Sequence, residues 1–504
     1  MKSIYYLFFS SLFIFQAVFG QNNQTQEEVE KRSVQQYESG RVQKNVRFMP
    51  APDEHETLFG AHLVRTSTLL ATSCKDYSHS VKVLIYGPSI VGSSVFTEEL
   101  ETQIKSKFPY ADITVENKAI GGFGLDRLVR TAWHDVYPAY PDLIVFHAYI
   151  GANHSEIERI LSNIRRQTTA EIILMNHHLD ADRATLYDHD FAYIRYLANK
   201  YDCEPVDIST GWLKYLADYN LDKNELLRDH VHQNRDGSWL MAHLIVRHLR
   251  YNPLFIGNWN QTVQTFFTAG AYDQGGIANP FSFSNERWAI VKGIPIGDSP
   301  KNTLKFTFFG NRIDMIAGFS DSTKLGSARI KIDNRPVSEI PGLYAVTRPS
   351  KGAGGWWPAI MRIDNSKPLI PETWTLRMDQ VNADSTVYQF SVKGSKTGLD
   401  GSGNTAEPFT SKSGRVVIEP SDFMFKEVKQ TFKTPTPVGF EIEWTVYPLF
   451  QEVYQSPVVK DRSKVYKTTL AQGLTNDYHT IEIIPVGDGE VPIEAFEVHR
   501  PPMK

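Results

Sequence analysis

Between about residues 80 and 250, short apolar runs alternate with amphipathic segments of helical spacing, and this alternation constrains the fold more than any other feature. The run Val81–Tyr86, for example, is six residues long and ends at a glycine. Such runs are typical of strands buried on both faces of a parallel sheet. Five of them alternating with helices predict a three-layer α/β/α sandwich around a five-stranded parallel sheet.

The apolar positions locate the elements of this sandwich. Strands are predicted at 81–86, 113–117, 143–147, 172–175 and 205–208, with helices near 96–108, 125–133, 155–164, 188–200 and 239–249. Ser155 and Glu158 have the spacing of a capping box, which predicts that the third helix opens at Ser155. Because ligands of such sheets bind beyond the carboxyl ends of the strands, the residues that follow each strand are the functional candidates.

After about residue 255 the hydrophobic period changes to two. Leu304, Phe306 and Phe308 alternate with polar residues, and similar runs recur up to the last hairpin, at 480–498. Gly, Pro, Asn and Asp separate the runs. This pattern predicts an all-β, jelly-roll-like region of one or two β-sandwich modules over residues 255–504.

The first twenty residues are typical of a secretion signal. Lys2 precedes an apolar stretch up to Phe19, and Val18 and Gly20 supply the small residues of a cleavage site. The stretch is short and Gln16 interrupts it, which argues against a membrane anchor. We therefore expect a signal peptide over residues 1–20, an N-terminal leader over 21–79 and a secreted or periplasmic protein whose α/β domain covers 80–254.

The net charge and the cysteine content limit which ligands and partners the protein is expected to bind. The 504 residues carry a formal net charge of −4, so no basic surface for nucleic acid is expected. Cys74 and Cys203 are the only cysteines, and neither stands in a metal-ligand pair. They predict either one structural disulfide or two inert thiols.

The segments after three of the strands, and the loop before the last helix, carry residues suited to nucleophilic catalysis. Ser89 follows the first strand, where the N–H groups of a helix start stabilise negative charge. Gly122 lies in a glycine-rich turn after the second strand, and Asn153 follows the third. Asp229 precedes His232 by three residues, so its carboxylate can orient the imidazole from the same loop. Taken singly, each of these residues is weak evidence for catalysis, because serines often cap helices and glycines often form turns.

Together and in this order, these segments resemble the four sequence blocks of the SGNH (GDSL-like) hydrolase superfamily, over roughly residues 80–250. In that resemblance Ser89 matches the nucleophile, and Asp229 and His232 match the acid and base of an Asp-x-x-His block. Gly122 and Asn153 match the oxyanion-hole residues. The resemblance implies a flavodoxin-like SGNH fold, a Ser-His-Asp triad, an oxyanion hole completed by the N–H of Ser89, and chemistry that needs no metal or cofactor.

Two positions depart from the family pattern. Gly87-Pro88-Ser89 stands where Gly-Asp-Ser is usual, and His154 stands where an aspartate usually follows the asparagine. Neither position supplies the attack, the proton transfer or the oxyanion stabilisation. Both changes are expected to affect the geometry of the site or the choice of substrate.

Further candidates lie outside these blocks. His154, His177 and His178 are candidates for substrate binding, since the latter two end the fourth strand. A metal site that joins them to Asp180 is a weaker interpretation, because the spacing is unspecific. Trp356-Trp357 could offer a sugar-stacking platform, but burial in the core of the β region is favoured.

A secreted domain of this type followed by β-sandwich modules resembles bacterial polysaccharide esterases, which remove acetyl groups from glycans. This predicts a carbohydrate O-acetylesterase, a carboxylic ester hydrolase acting on an acylated polysaccharide or oligosaccharide. One alternative is a catalytically inactive SGNH-fold protein that binds carbohydrate, which the altered Gly-Pro-Ser block motivates. The other is a lipase or thioesterase, which would need an apolar lid that the sequence does not clearly provide.

Overall fold

A computed structural model of the chain describes residues 46–178, 184–269, 281–283, 289–291 and 294–504. The expected signal peptide, the first part of the expected leader and Asp180 lie outside these ranges. Within them, no helix has the length and apolar character that crossing a bilayer requires.

A five-stranded parallel sheet forms the centre of the first region, in the order β2-β1-β3-β4-β5. Its strands are β1 (Ser80–Tyr86), β2 (Asp112–Asn117), β3 (Leu143–His147), β4 (Glu171–Met175) and β5 (Glu204–Val206). Successive side chains of a strand point to opposite faces. In β1, Val83 and Ile85 therefore join one apolar cluster, while Leu84 and Tyr86 join the other.

Helices cover both faces of this sheet, which confirms the predicted three-layer α/β/α sandwich. The helices are α1 (Val64–Thr72), α2 (Ser89–Gly92), α3 (Ser94–Lys107), α4 (Leu125–Asp135), α5 (His154–Gln167), α6 (Ala184–Tyr201), α7 (Ile208–Asp218) and α8 (Arg235–Val246). Residues of α1, α3, α7 and α8 form the cluster on one face. Residues of α4, α5 and α6 form the cluster on the other, together with Trp357, Met361 and Val428 from the β region.

The predicted capping box at the start of α5 is wrong. The helix begins at His154 with Asn153 as its N-cap, and the side chain of Asn153 makes no capping hydrogen bond. The hydroxyl of Ser155 donates to Glu156 instead. Glu158 accepts hydrogen bonds from side chains of α6, among them Lys200 at 2.7 Å, so a tertiary partner displaces the local one.

Residues 46–79, which the sequence analysis placed in the leader, contribute a helix to the domain. The guanidinium of Arg65 in α1 donates to Asp142 at 2.8 Å. The carboxylate of Glu171 accepts the backbone N–H groups of Arg65 and Thr66 at 2.8 and 2.7 Å. These bonds attach α1 to the amino-terminal ends of β3 and β4.

The rest of the chain forms antiparallel sheets, which confirms the predicted all-β region. A ten-stranded sheet, called the large sheet below, contains β6 (Val263–Phe267), β7 (Phe281–Phe283), β8 (Ala289–Val291), β9 (Ile294–Gly297), β10 (Leu304–Ala317), β11 (Ser327–Ile332), β12 (Arg335–Pro336), β20 (Val453–Gln455), β21 (Lys467–Pro485) and β22 (Val491–His499). Its longest pairings join β10 to β21 and β22.

A second antiparallel sheet, called the small sheet below, is inserted between β12 and β20. It has the order β13-β19-β14-β15-β16, with β13 (Tyr344–Val346), β14 (Glu372–Val381), β15 (Tyr388–Gly394), β16 (Gly398–Asn404) and β19 (Glu441–Pro448). The pair β17 (Phe409–Thr410) and β18 (Val417–Ile418) and the helix α9 (Phe425–Phe432) lie within the same insertion. The large sheet and the small sheet each have their own apolar core.

Both cysteines are free thiols. Cys74 is exposed and Cys203 is buried, and no disulfide joins them. Of the two alternatives that the sequence left open, the structure therefore shows two thiols.

Candidate active site

Ser89 lies at the carboxyl edge of the parallel sheet because the chain turns sharply after β1. Gly87 makes this turn with φ +146°. A β-carbon at Gly87 would lie 2.5 Å from the carbonyl oxygen of His147 in β3, so only glycine fits between the two strands. Pro88 then caps α2, and Ser89 is its first residue, partly exposed.

Ser89, His232 and Asp229 form a hydrogen-bonded series. The Nε2 atom of His232 is 2.9 Å from Ser89 Oγ, and its Nδ1 atom is 2.9 Å from Asp229 Oδ2. The loop that carries them is attached to the serine loop, because the side-chain amide of Gln233 donates to the carbonyl of Ile90. The structure thus brings together the three residues of the predicted triad.

Asp229 is held as a carboxylate. Burial raises its pKa, but the hydrogen bond from the His232 ring, and the attraction to that ring when it is protonated, outweigh that effect. The backbone N–H groups of Val231 and His232 also donate to Oδ1, at 2.8 and 2.7 Å. The net result is a pKa below the usual range for an aspartate. Asp229 is therefore ionised in the folded protein at neutral pH.

Gly122 lies in the turn that follows β2. The N–H of Phe123 donates to Ile120 at 3.1 Å and closes the turn, and Gly122 has φ +83°, as the third residue of a type II turn requires. The N–H of Ile120 donates to Gly87 at 2.9 Å, which joins this turn to the serine turn. Among the described residues, nothing accepts a hydrogen bond from the N–H of Gly122.

Asn153 follows β3 and is partly exposed. Its backbone N–H donates to Ile150 at 2.8 Å, and it caps α5 without using its side chain. Within the ranges that the structure describes, the side-chain amide has no protein partner. It is therefore available to donate to a substrate oxygen.

The three histidine candidates occupy different surroundings. His154 is exposed, and its ring stacks on that of Tyr193 with centroids 4.1 Å apart. His177 and His178 are buried, and the His178 ring lies 4.6 Å from that of Trp212. Burial lowers the pKa of His178 to about 3, so its ring is neutral beneath the loop that carries Asp229 and His232.

Trp356 and Trp357 have a partner that the sequence does not reveal. Trp357 is buried, as the core interpretation predicts, and Trp356 is partly exposed. Both indole N–H groups donate to the carbonyl of Gly121, at 3.2 Å from Trp356 and 2.6 Å from Trp357. No local signal marks this contact, because more than 230 residues separate donor and acceptor.

One group of three metal-ligating side chains occurs in the part of the chain that the structure describes. Asp314, Glu497 and His499 bring their ligand atoms within 4.8 Å of one another. Protein cations already neutralise this group: Arg312 donates to Asp314 at 2.8 Å, and Lys467 donates to Glu497 at 2.7 Å. The group is therefore a buried ion-pair network between β10, β21 and β22.

Comparison with known proteins gives structural matches only. No family model matches the sequence, and no curated protein matches it. A two-domain esterase active on acetylated mannans is 12% identical, with a TM-score of 0.32 over 88% of this chain and 95% of its own. Axe2, an acetylxylan esterase from Geobacillus stearothermophilus, is 18% identical, with a TM-score of 0.31 over 36% of this chain and 100% of its own.

Proposed function

We propose that this protein is a secreted serine esterase that removes acyl groups, acetyl first among them, from a polysaccharide or oligosaccharide. The observation that carries the proposal is the hydrogen-bonded series from Ser89 Oγ through His232 to Asp229, with distances of 2.9 and 2.9 Å. A hydroxyl, an imidazole and an ionised carboxylate in this order are the parts of a serine hydrolase. Secretion rests on the N-terminal pattern of the sequence.

The geometry supports acyl transfer in two steps. His232 Nε2 takes the proton of Ser89 as Oγ attacks the ester carbonyl, and the ionised Asp229 stabilises the imidazolium that forms. The oxyanion is held by the N–H groups of Ser89 and Gly122 and by the amide of Asn153. His232 then protonates the sugar oxygen as its bond to the acyl carbon breaks, and the sugar leaves with a free hydroxyl. Water attacks the acyl-serine with His232 as base, which releases the acid and restores Ser89.

The Gly-Pro-Ser departure does not remove the nucleophile. Pro88 is buried and has extended backbone geometry, and Ser89 Oγ remains within hydrogen-bonding distance of His232. This favours an active enzyme over a protein that only binds carbohydrate.

The surface beside Asn153 favours a sugar over a long acyl chain. The His154 ring stacks on the ring of Tyr193. The centroid of the Tyr193 ring lies 5.6 Å from that of Tyr196, whose side chain is half exposed. These rings combine flat apolar surfaces with polar atoms, which suits the mixed character of a pyranose. We therefore place the glycan along the start of α5.

Acetate release from acetylated mannan, acetylated xylan and 4-nitrophenyl acetate tests the proposal. Ser89→Ala should lower kcat by about 10⁶, the scale of losing a serine nucleophile. Ser106→Ala, at an exposed position of α3, is the matched control and should keep full activity. Equal activity of Ser89→Ala and the parent protein would end the esterase proposal. Glycan binding without hydrolysis would favour the binding protein, and preference for long-chain esters would favour a lipase.

A further inference from the structure

The Gly121–Gly122 peptide is held from the side of the β region. Trp356 and Trp357 lie in the loop between β13 and β14, and both donate their indole N–H to the carbonyl of Gly121. Their rings pack edge-on against Phe432 of α9, with centroids 4.8 and 5.0 Å away. Helix α9 therefore supports both donors.

Fixing the Gly121 carbonyl also fixes the Gly122 N–H. A peptide unit is planar and trans, so its C=O and N–H point in opposite directions. Two donors on the Gly121 oxygen turn the Gly122 N–H away from the tryptophans. Trp357 also lies against Gly122 itself, since a β-carbon there would be 2.9 Å from its Cζ2. The turn therefore cannot rotate toward the β region.

The loop between β13 and β14 also holds the segments on either side of this turn. The guanidinium of Arg348 donates to the carbonyl of Lys118 at 2.6 Å and to Asp135 at 2.8 Å. The N–H of Ile363 donates to the ring of His134 at 3.1 Å. The chain from Lys118 to Asp135 is thus bonded to the β region before the turn, at the turn and at the end of α4.

We propose that Trp356 and Trp357 are positioning residues of the oxyanion hole, through which the β region orients the Gly122 N–H toward the reacting ester. The proposal rests on the proposed esterase function. Hydrogen bonds accepted by a peptide oxygen also polarise its N–H, which makes it a stronger donor to a developing negative charge. The β region therefore takes part in catalysis without contributing a reacting group.

The first test observes the peptide itself and needs no substrate. Gly-Gly pairs occur only at 121–122, 275–276 and 354–355, so protein labelled with carbonyl-¹³C glycine and ¹⁵N glycine gives three two-glycine correlations. Gly121→Ala assigns the first by removing it. In the double variant Trp356→Phe/Trp357→Phe, which keeps aromatic packing and removes both N–H donors, the Gly121–Gly122 correlation should shift. In Trp374→Phe, a fully buried control in the small sheet, it should stay in place.

The second test is kinetic and compares the same variants. The double variant should lose about tenfold in kcat with little change in KM, the scale of one well-made hydrogen bond. A boronic acid that adds to Ser89 mimics the tetrahedral state, and its affinity should fall in parallel with kcat. Trp374→Phe should change only the melting temperature.

The outcomes separate this inference from the function on which it rests. An unshifted Gly121–Gly122 correlation, or unchanged kcat and boronate affinity in an active double variant, would overturn the positioning role. An inactive parent protein would instead overturn the esterase proposal, and the correlation would still decide whether the tryptophans orient the peptide.

Discussion

At the scale of single residues, Asp229 is the most firmly held member of the site. One of its oxygens accepts two backbone N–H groups of its own loop, and the other faces His232 Nδ1. This arrangement fixes the tautomer in which Nε2 is free to accept the proton of Ser89. The sequence could predict this contact once the other segments were matched with it, because Asp229 and His232 lie three residues apart in one short loop.

Asp229→Asn should lower kcat by about 10⁴, since an amide that retains the same shape favours the wrong tautomer. Asp218→Asn is the control, because Asp218 only pairs with Lys214 on an exposed helix face. Steady-state kinetics on acetylated oligosaccharide checks both variants. Activity of Asp229→Asn within tenfold of the parent protein would show that another group orients His232.

Asn153→Ala should lower kcat by about 10²–10³, the usual loss for one side-chain donor of an oxyanion hole. KM should change little, because the donor acts mainly on the developing oxyanion. The melting temperature should also stay constant, since the side chain caps no N–H of α5. A drop in melting temperature without a loss of kcat would assign Asn153 a structural role instead.

At the scale of elements, the sequence predicted those features that depend on neighbouring residues. The strands β1 to β5 follow from short apolar runs, and the serine turn follows from Gly87 at the end of β1. The start of α5 could not be predicted in this way. Its apparent capping residue Glu158 bonds Lys200 across the helix pair instead, a choice that depends on tertiary packing.

The turn after β2 can be tested with two glycines of similar backbone conformation. Gly122 and Gly398 have φ of +83° and +76°, but only Gly122 faces a neighbour, Trp357. Both alanine variants should lose about 1–3 kcal/mol of stability from backbone strain. Only Gly122→Ala should also lose esterase activity, because the new methyl group must displace the turn or the indole. Equal activity of the two variants would show that the position of this turn does not matter.

At the scale of the whole molecule, the decisive contacts join residues far apart in the chain. The sequence indicated an α/β unit followed by antiparallel strands, because both patterns are local. It gave no signal that the small sheet is inserted into the large one, or that Arg348, Trp356 and Trp357 fold back onto the segment after β2. Such contacts depend on three-dimensional packing, so a single sequence does not predict them.

Buried neutral histidines link the stability of the molecule to pH. His134 belongs to α4 and faces the β region, where its Nδ1 bonds the Val346 carbonyl at 3.0 Å and its Nε2 accepts the Ile363 N–H. Burial lowers the pKa of His134 to about 4, and that of His147 and His178 to about 3. An unfolded histidine has a pKa near 6.5. Below that pH the unfolded chain therefore binds protons that the folded chain excludes.

The free energy of unfolding should accordingly fall as the pH drops from about 6.5 toward 4, by about 2 kcal/mol per histidine at pH 5. Buried acids such as Glu171, whose pKa burial raises, oppose this trend only near their own titration range. Urea unfolding at pH 7 and pH 5 measures the difference. His134→Gln should reduce the difference in unfolding free energy between pH 7 and pH 5 by the contribution of one histidine. His55→Gln, at an exposed position, should leave that difference unchanged. Stability that is constant or rises toward pH 5 would mean that these rings gain compensating partners when protonated.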